Sequence, residues 1–273
     1  MAFEGGLYVA LHGLANINLE LSSRCNKACW MCGRRERDRL YRDLEYGDMD
    51  FELVAEVARQ VPPGIVVQFH NNGEGLLYPR FGDAVVLFKK QGCITNIVTN
   101  GKLLVEKAQE IIDNLDTISI SVFENDPDAE EQYGLIAEFL RLKGERKPFT
   151  TLRFIGEVDQ ARYQKFNALI IRRILHAPRG SFYYQKKNPT IPEIGICLDF
   201  LNHLAISRRG DVSVCVRFDP LGELVLGNLS RRSLEELWNC EKRREMLVLH
   251  VAGRRGEIPF CQKCEFWGVP TGE

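Results

Sequence analysis

The sequence lacks any apolar run long enough to cross a bilayer, so no helical membrane anchor is expected. Its first residues, Met1-Ala2-Phe3-Glu4-Gly5-Gly6, lack the basic start of a secretory signal. An excess of one charge is missing too. Lys and Arg number 36 against 37 Asp and Glu, for a net charge of −1. Basic pairs such as Lys186-Lys187, Arg208-Arg209 and Arg254-Arg255 are scattered and offset by acids, so no nucleic-acid partner is expected. Nor is there an even set of cysteines: nine, with no signal peptide, point to reduced thiols and a cytoplasmic location. With 45% hydrophobic and 27% charged residues, the 273-residue chain can bury one large domain, with or without a small appendage.

Three cysteines stand within eight residues, Cys25-Asn26-Lys27-Ala28-Cys29-Trp30-Met31-Cys32. They follow the strand-like run Ala15–Leu21. Three thiolates on one loop can hold three corners of an iron–sulfur cube and leave the fourth iron open. Structural zinc completed by Cys261-x2-Cys264 is the main alternative. A disulfide framework and simple burial fit the charged loop and the absent signal less well.

Short apolar runs alternate with amphipathic stretches as far as Tyr184. Strands are expected at Ile65–Phe69, Thr95–Val98, Thr117–Val122, Thr151–Ile155 and Ser181–Tyr184. Helices are expected from Asp50 (the N-cap) to Ala58, at Phe81–Lys90 and Leu103–Asn114, within Asp128–Lys143, and at Gln160–Leu175. This grammar implies parallel strands with right-handed crossovers, in a partial barrel or a doubly wound sheet. In both, the site lies at the carboxyl ends of the strands. The cysteine loop, Asn71–Gly75 and Thr99–Gly101 all follow strands and are expected to converge there.

The grammar changes at Asn188-Pro189-Thr190-Ile191-Pro192, placing a boundary between 1–188 and 189–273. Beyond it, His203–Ser207 and Val212–Val216 read as a hairpin around Gly210. Ser233, with Glu236 at N3, forms a capping box for a helix to Trp238. Cys197, Cys215, Cys261 and Cys264 are four thiols that can ligate a second, closed cube, with a zinc knuckle as the alternative. Cys93 and Cys240 fit neither set and read as packed thiols.

The C-x3-C-x2-C loop resembles the signature of the radical S-adenosylmethionine (SAM) enzymes, and the tail resembles the twitch form of the SPASM domain. The resemblance implies an α/β fold: a partial (β/α)6 TIM-like barrel followed by a small α+β cluster-binding domain. It makes Cys25, Cys29 and Cys32 ligands of a SAM-binding [4Fe–4S] cluster, and Cys197, Cys215, Cys261 and Cys264 ligands of an auxiliary one. Asn72-Gly73-Glu74-Gly75 resembles the family segment that grips the SAM amino group, with Asn72 and Gly75 departing from its usual residues. Asn100, Ser121 and Met31 take up positions of further SAM contacts.

Reductive cleavage of SAM to a hydrogen-abstracting 5′-deoxyadenosyl radical is implied, with the auxiliary cluster as electron acceptor and a flavodoxin or ferredoxin as donor. The layout resembles that of radical SAM aminocyclitol dehydrogenases, so a sugar- or aminocyclitol-like alcohol is the expected substrate. Arg153, Arg217 and Asp219 are candidates near the reacting hydroxyl. The alternatives are a maturase acting on a peptide or protein side chain, and a non-enzymatic iron–sulfur or zinc interaction protein. Only 24 residues precede Cys25, too few for the leader-binding module that maturases often carry.

Overall fold

The computed structural model describes residues 11–40, 45–173, 197–216, 219, 222–262 and 264. Six parallel strands form its frame: β1 (Asn16–Leu19), β2 (Val66–Gln68), β3 (Ile94–Thr99), β4 (Thr117–Phe123), β5 (Phe149–Ile155) and β6 (Leu169–Arg173). The order β6-β5-β4-β3-β2-β1 runs in sequence without reversal. A doubly wound sheet requires a reversal where its order switches, so the strand order selects the partial barrel.

Helices α1 (Arg34–Leu40), α2 (Phe51–Gln60), α3 (Phe81–Lys90), α4 (Ala108–Ile111) and α5 (Ala129–Lys143) fill the crossovers. Asp50 caps α2 by accepting from the Glu52 N–H at 2.8 Å, while Val54, Val57 and Ala58 form its buried face. Ile17, Leu19, Val67, Ile97, Ile118, Ile120, Leu152 and Phe154 are all at most 1% exposed and belong to one core with residues of α2, α3 and α5. Phe69 meets Phe81 and Phe88 edge-on, with centroids 5.8 and 5.6 Å apart, a favourable aromatic geometry.

Two barrel elements differ from the sequence expectation. The described part of the expected helix Gln160–Leu175, up to Arg173, is not helical: a short 3-10 turn, Ala161–Tyr163, is followed by β6, which pairs in parallel with β5 from Thr151↔Leu169 to Ile155↔Arg173. Tyr163 and Phe166 instead form an aromatic cluster with Tyr133. Pairing with the edge of β5 then decides the state of the β-branched run that follows. Within Leu103–Asn114 only α4 is regular helix; the residues before it form successive turns, including Leu104 N–H to Gly101 O. The expected strand Ser181–Tyr184, the Asn188–Pro192 boundary and Arg217 lie outside the described residues.

After α6 (Leu198–Asn202), β7 (His203–Ile206) and β8 (Asp211–Ser213) form the expected antiparallel hairpin, and β9 (Val225–Asn228) extends it. β7 also pairs in parallel with β1 over four residues, so one nine-stranded sheet runs through both parts of the chain. The capping box of α7 (Leu234–Trp238) is present as expected, with the Ser233 side chain and Glu236 bonding reciprocally. α8 (Glu241–Val251) and α9 (Pro259–Gln262) are the last elements among the described residues. Among the described residues, no helix is long and apolar enough to cross a membrane.

Candidate functional site

The cysteine loop leaves the carboxyl end of β1 and is held on three sides. Lys27, between the first two cysteines, sends its ammonium 2.5 Å from Asp126 and 3.7 Å from Asp128 in the loop after β4. The Lys27 and Asp126 side chains are only 5% and 1% exposed. Asn100 donates to Cys25 Sγ at 3.8 Å and to Asn26 Oδ1 at 2.8 Å. From the β2 side, the Glu74 N–H donates to the Arg24 carbonyl at 2.8 Å.

That last approach requires glycine. A Cβ on Gly73 would lie 2.1 Å from the Ser22 carbonyl oxygen and 2.7 Å from that of Arg24, both backbone atoms that cannot swing aside. The expected convergence of the three polar loops is therefore present, and its closeness depends on Gly73.

Glu74 is 2% exposed. One carboxylate oxygen accepts from Leu76 N–H and Thr99 Oγ1, the other from Asn100 N–H. Its side chain thus cross-links the loop after β2 to the Thr99–Gly101 turn. Burial pushes its carboxyl above the ordinary range, while these three bonds pull the other way. Asn72 donates from its backbone and side chain to Glu20 Oε2 at 3.3 and 3.2 Å. Ser121 is buried beside Arg153 in the register of β4 and β5. Met31 is half-buried between Cys29 and Cys32.

Sequence reasoning missed four polar residues here. Glu20, buried at the end of β1, also accepts from the Arg208 N–H at 3.4 Å, so it joins three segments. Gln132, 1% exposed on α5, donates to the carbonyls of Asn100 and Ser121 at 2.6 and 2.9 Å. Lys27 and Asp126 read as ordinary surface charges until their loops are placed together. Only an acid or amide next to a strand end hinted at any of them.

The strand face opposite the core is polar. Asn18, Gln68, Asn96 and Thr117 are register neighbours across β1–β4, and Ser119, Ser121 and Arg153 continue that face on β4 and β5. Asn18 Nδ2 donates to the Val216 carbonyl at 3.4 Å, bringing the segment next to Cys215 against this face. Asp219 serves the same region: Ser213 Oγ and Leu224 N–H donate to one of its oxygens and Glu223 N–H to the other, closing the turn after Cys215. Its burial also raises its carboxyl pKa. A cleft of about 600 Å³ between α2 and α7 is lined by Glu56, Arg59, Arg231 and Glu236. It includes Gln60, at the end of a helix running back toward the amino ends of the strands, so it lies away from the thiols.

All nine thiols are free. Cys29 is pushed up to about 12 by burial and then by repulsion from Cys32, with Lys27 opposing. Three crowded thiolates need a compensating cation. In the second part, Cys264, Cys197 and Cys261 each act electrostatically on the buried Arg255. Among the described residues, no three His, Cys, Asp or Glu side chains are placed to hold a single ion. All-thiol donor sets, three on one loop and four in the tail, fit iron–sulfur ligation.

The fold and these donors define a cluster-dependent α/β enzyme. The radical SAM superfamily profile matches residues 19–158, and that of the SPASM iron–sulfur cluster-binding domain matches residues 197–265. The chain belongs to the radical SAM superfamily and carries a SPASM domain. Its cofactors are SAM, the SAM-binding [4Fe–4S] cluster and auxiliary iron–sulfur ligation.

The S-adenosyl-L-methionine-dependent 2-deoxy-scyllo-inosamine dehydrogenase of Niallia circulans is 23% identical over 94% of this chain and 95% of its own. The crystal structure of BtrN in complex with AdoMet and 2-DOIA superposes with a TM-score of 0.66 at 19% identity, covering 95% of this chain and 96% of that one. The tungsten-containing aldehyde ferredoxin oxidoreductase cofactor-modifying protein of Pyrococcus furiosus is 38% identical over 33% of this chain, a match spanning 24% of that relative's length.

Proposed function

We propose that this radical SAM enzyme is an oxidoreductase acting on a small, hydroxyl-rich molecule of sugar or aminocyclitol type. The observation that carries this is the polar strand face, with Asn18 bonded to the segment beside Cys215. That face offers amides, hydroxyls and a guanidinium, and its Asn18 end meets the segment beside Cys215. Such groups match the alternating donors and acceptors of a polyol or aminocyclitol. The similarity to a dehydrogenase of 2-deoxy-scyllo-inosamine supports the same class.

When bound, the cofactors supply a hydrogen-abstracting radical and a sink for the electron left on the substrate. The chain's own part is to hold and orient. Residues 1–188 carry the SAM-binding half, with Cys25, Cys29 and Cys32 as ligands and Met31, Asn72, Gly73, Glu74, Asn100 and Ser121 shaping the SAM pocket. Glu74 does so by fixing two loops. Residues 189–273 carry the auxiliary half, ligated by Cys197, Cys215, Cys261 and Cys264. Arg153 orients the substrate next to Ser121. Asp219 holds the turn after Cys215, and Arg217, outside the described residues, is a further candidate to act on the substrate hydroxyl. A cytoplasmic site and a flavodoxin or ferredoxin donor complete the proposal.

The test is anaerobic reconstitution followed by incubation with SAM, reductant and a panel of aminocyclitols and sugar alcohols. Reconstitution should give about eight irons per chain. A ketone and 5′-deoxyadenosine should form together, and deuterium at the oxidised carbon should appear in the deoxyadenosine. Cys261→Ala should keep SAM cleavage and lose the ketone. A chain that leaves every alcohol unchanged but alters the mass of a peptide would refute the proposal in favour of a maturase.

A further inference from the structure

Three thiols of the second set lie within electrostatic reach of one buried cation. Arg255, in the short turn after α8, is 6% exposed. Its Nη2 donates to the Cys264 carbonyl at 2.8 Å, and its charge acts on the thiols of Cys264, Cys197 and Cys261. Next to it, His250 in the last turn of α8 is fully buried and lies flat on Phe200, with centroids 4.2 Å apart and planes inclined by 10°. His250 Nδ1 accepts from the Cys197 backbone N–H at 3.2 Å. A ring that accepts at Nδ1 is neutral. Arg255 therefore supplies a positive charge in this corner, opposed at Cys197 by the buried Asp199 carboxylate, and His250 holds the Cys197 backbone.

We propose that Arg255 sets the reduction potential of the auxiliary cluster, as a positioning residue acting through its fixed charge. The inference rests on the assignment of Cys197, Cys215, Cys261 and Cys264 as the ligands. A cluster held by four thiolates is anionic, and accepting one electron adds a further negative charge. A guanidinium in a poorly solvated site stabilises that reduced form more than the oxidised one. On the proposed dehydrogenase reading, the substrate radical would give its electron to the cluster and become the ketone as its hydroxyl proton leaves. Arg255 thereby raises the driving force of that transfer without touching the substrate.

The full chain with Cys25, Cys29 and Cys32 replaced by Ala isolates the auxiliary cluster for iron analysis and an EPR-monitored redox titration with dithionite. Arg255→Gln should shift the reduction equilibrium at least tenfold toward the oxidised form, about 59 mV for a one-electron couple. Arg255→Lys should stay within a factor of two of the parent. An Arg255→Gln potential within that same factor, at full iron content, overturns the inference. If Arg255→Gln fails to hold iron, Arg255→Lys decides: parent-like iron and potential support the role of charge, and a tenfold shift or iron loss there overturns it. A parent background without the expected iron would overturn the ligand assignment itself, before any Arg255 variant is made.

Discussion

Lys27→Met is the sharpest perturbation of the cysteine loop. In the native protein the Lys27 ammonium stands 2.5 Å from Asp126 and 3.7 Å from Asp128, with both members of the closer pair almost fully buried. Methionine keeps the length of the side chain and removes the charge. Asp126 is then left buried, with the Asp128 N–H as a remaining donor at 3.1 Å. Breaking a buried pair in this way costs about 3–5 kcal/mol, whereas an exposed, solvent-screened pair such as Arg141–Glu138 contributes little.

Urea unfolding of the thiol-reduced apo chain should therefore separate Lys27→Met from Arg141→Met by at least about 2 kcal/mol. The double variant Lys27→Met/Asp126→Asn should recover much of the loss, because no charge is left stranded. The loop between Cys25 and Cys29 should also loosen, and the reconstituted variant should lose iron faster to a chelator. If Lys27→Met costs less than about 1 kcal/mol, Lys27 is not the clamp described.

Gly73→Ala should remove about 1–3 kcal/mol of stability and weaken SAM binding in equilibrium dialysis, since the new methyl meets the Ser22 carbonyl; binding equal to the parent would refute the close approach. Gln132→Leu withdraws the donor from two buried carbonyls and should cost about 1–3 kcal/mol in urea unfolding. For Glu74, a folded pKa above the ordinary 4.5 means that folding takes up a proton. Its contribution is full below 4.5 and is lost as pH rises through the raised folded value. Glu74→Gln should flatten that part of the stability–pH curve of the apo chain, and an unchanged slope would contradict it.

What the sequence determined by itself was whatever depends on neighbours along the chain. The C-x3-C-x2-C spacing, the Asp50 cap, the Ser233–Glu236 box and most strands of the barrel follow from side chains within a turn or a pleat of one another. Chemistry carried by type and spacing was legible for the same reason, because three thiols on one loop need no distant partner to suggest a cluster. Tertiary structure decided the rest. Leu169–Arg173 became a strand because β5 had an edge to pair with, despite a helix-like apolar period. The sheet continued from β1 into β7 because their edges match in register, although the chain between them spans most of the barrel. Glu74 became a cross-link, and Lys27 and Asp126, 99 positions apart, became a buried pair. Each of these outcomes turns on which group is removed from water beside which, and that is set only when the strands close around a common core.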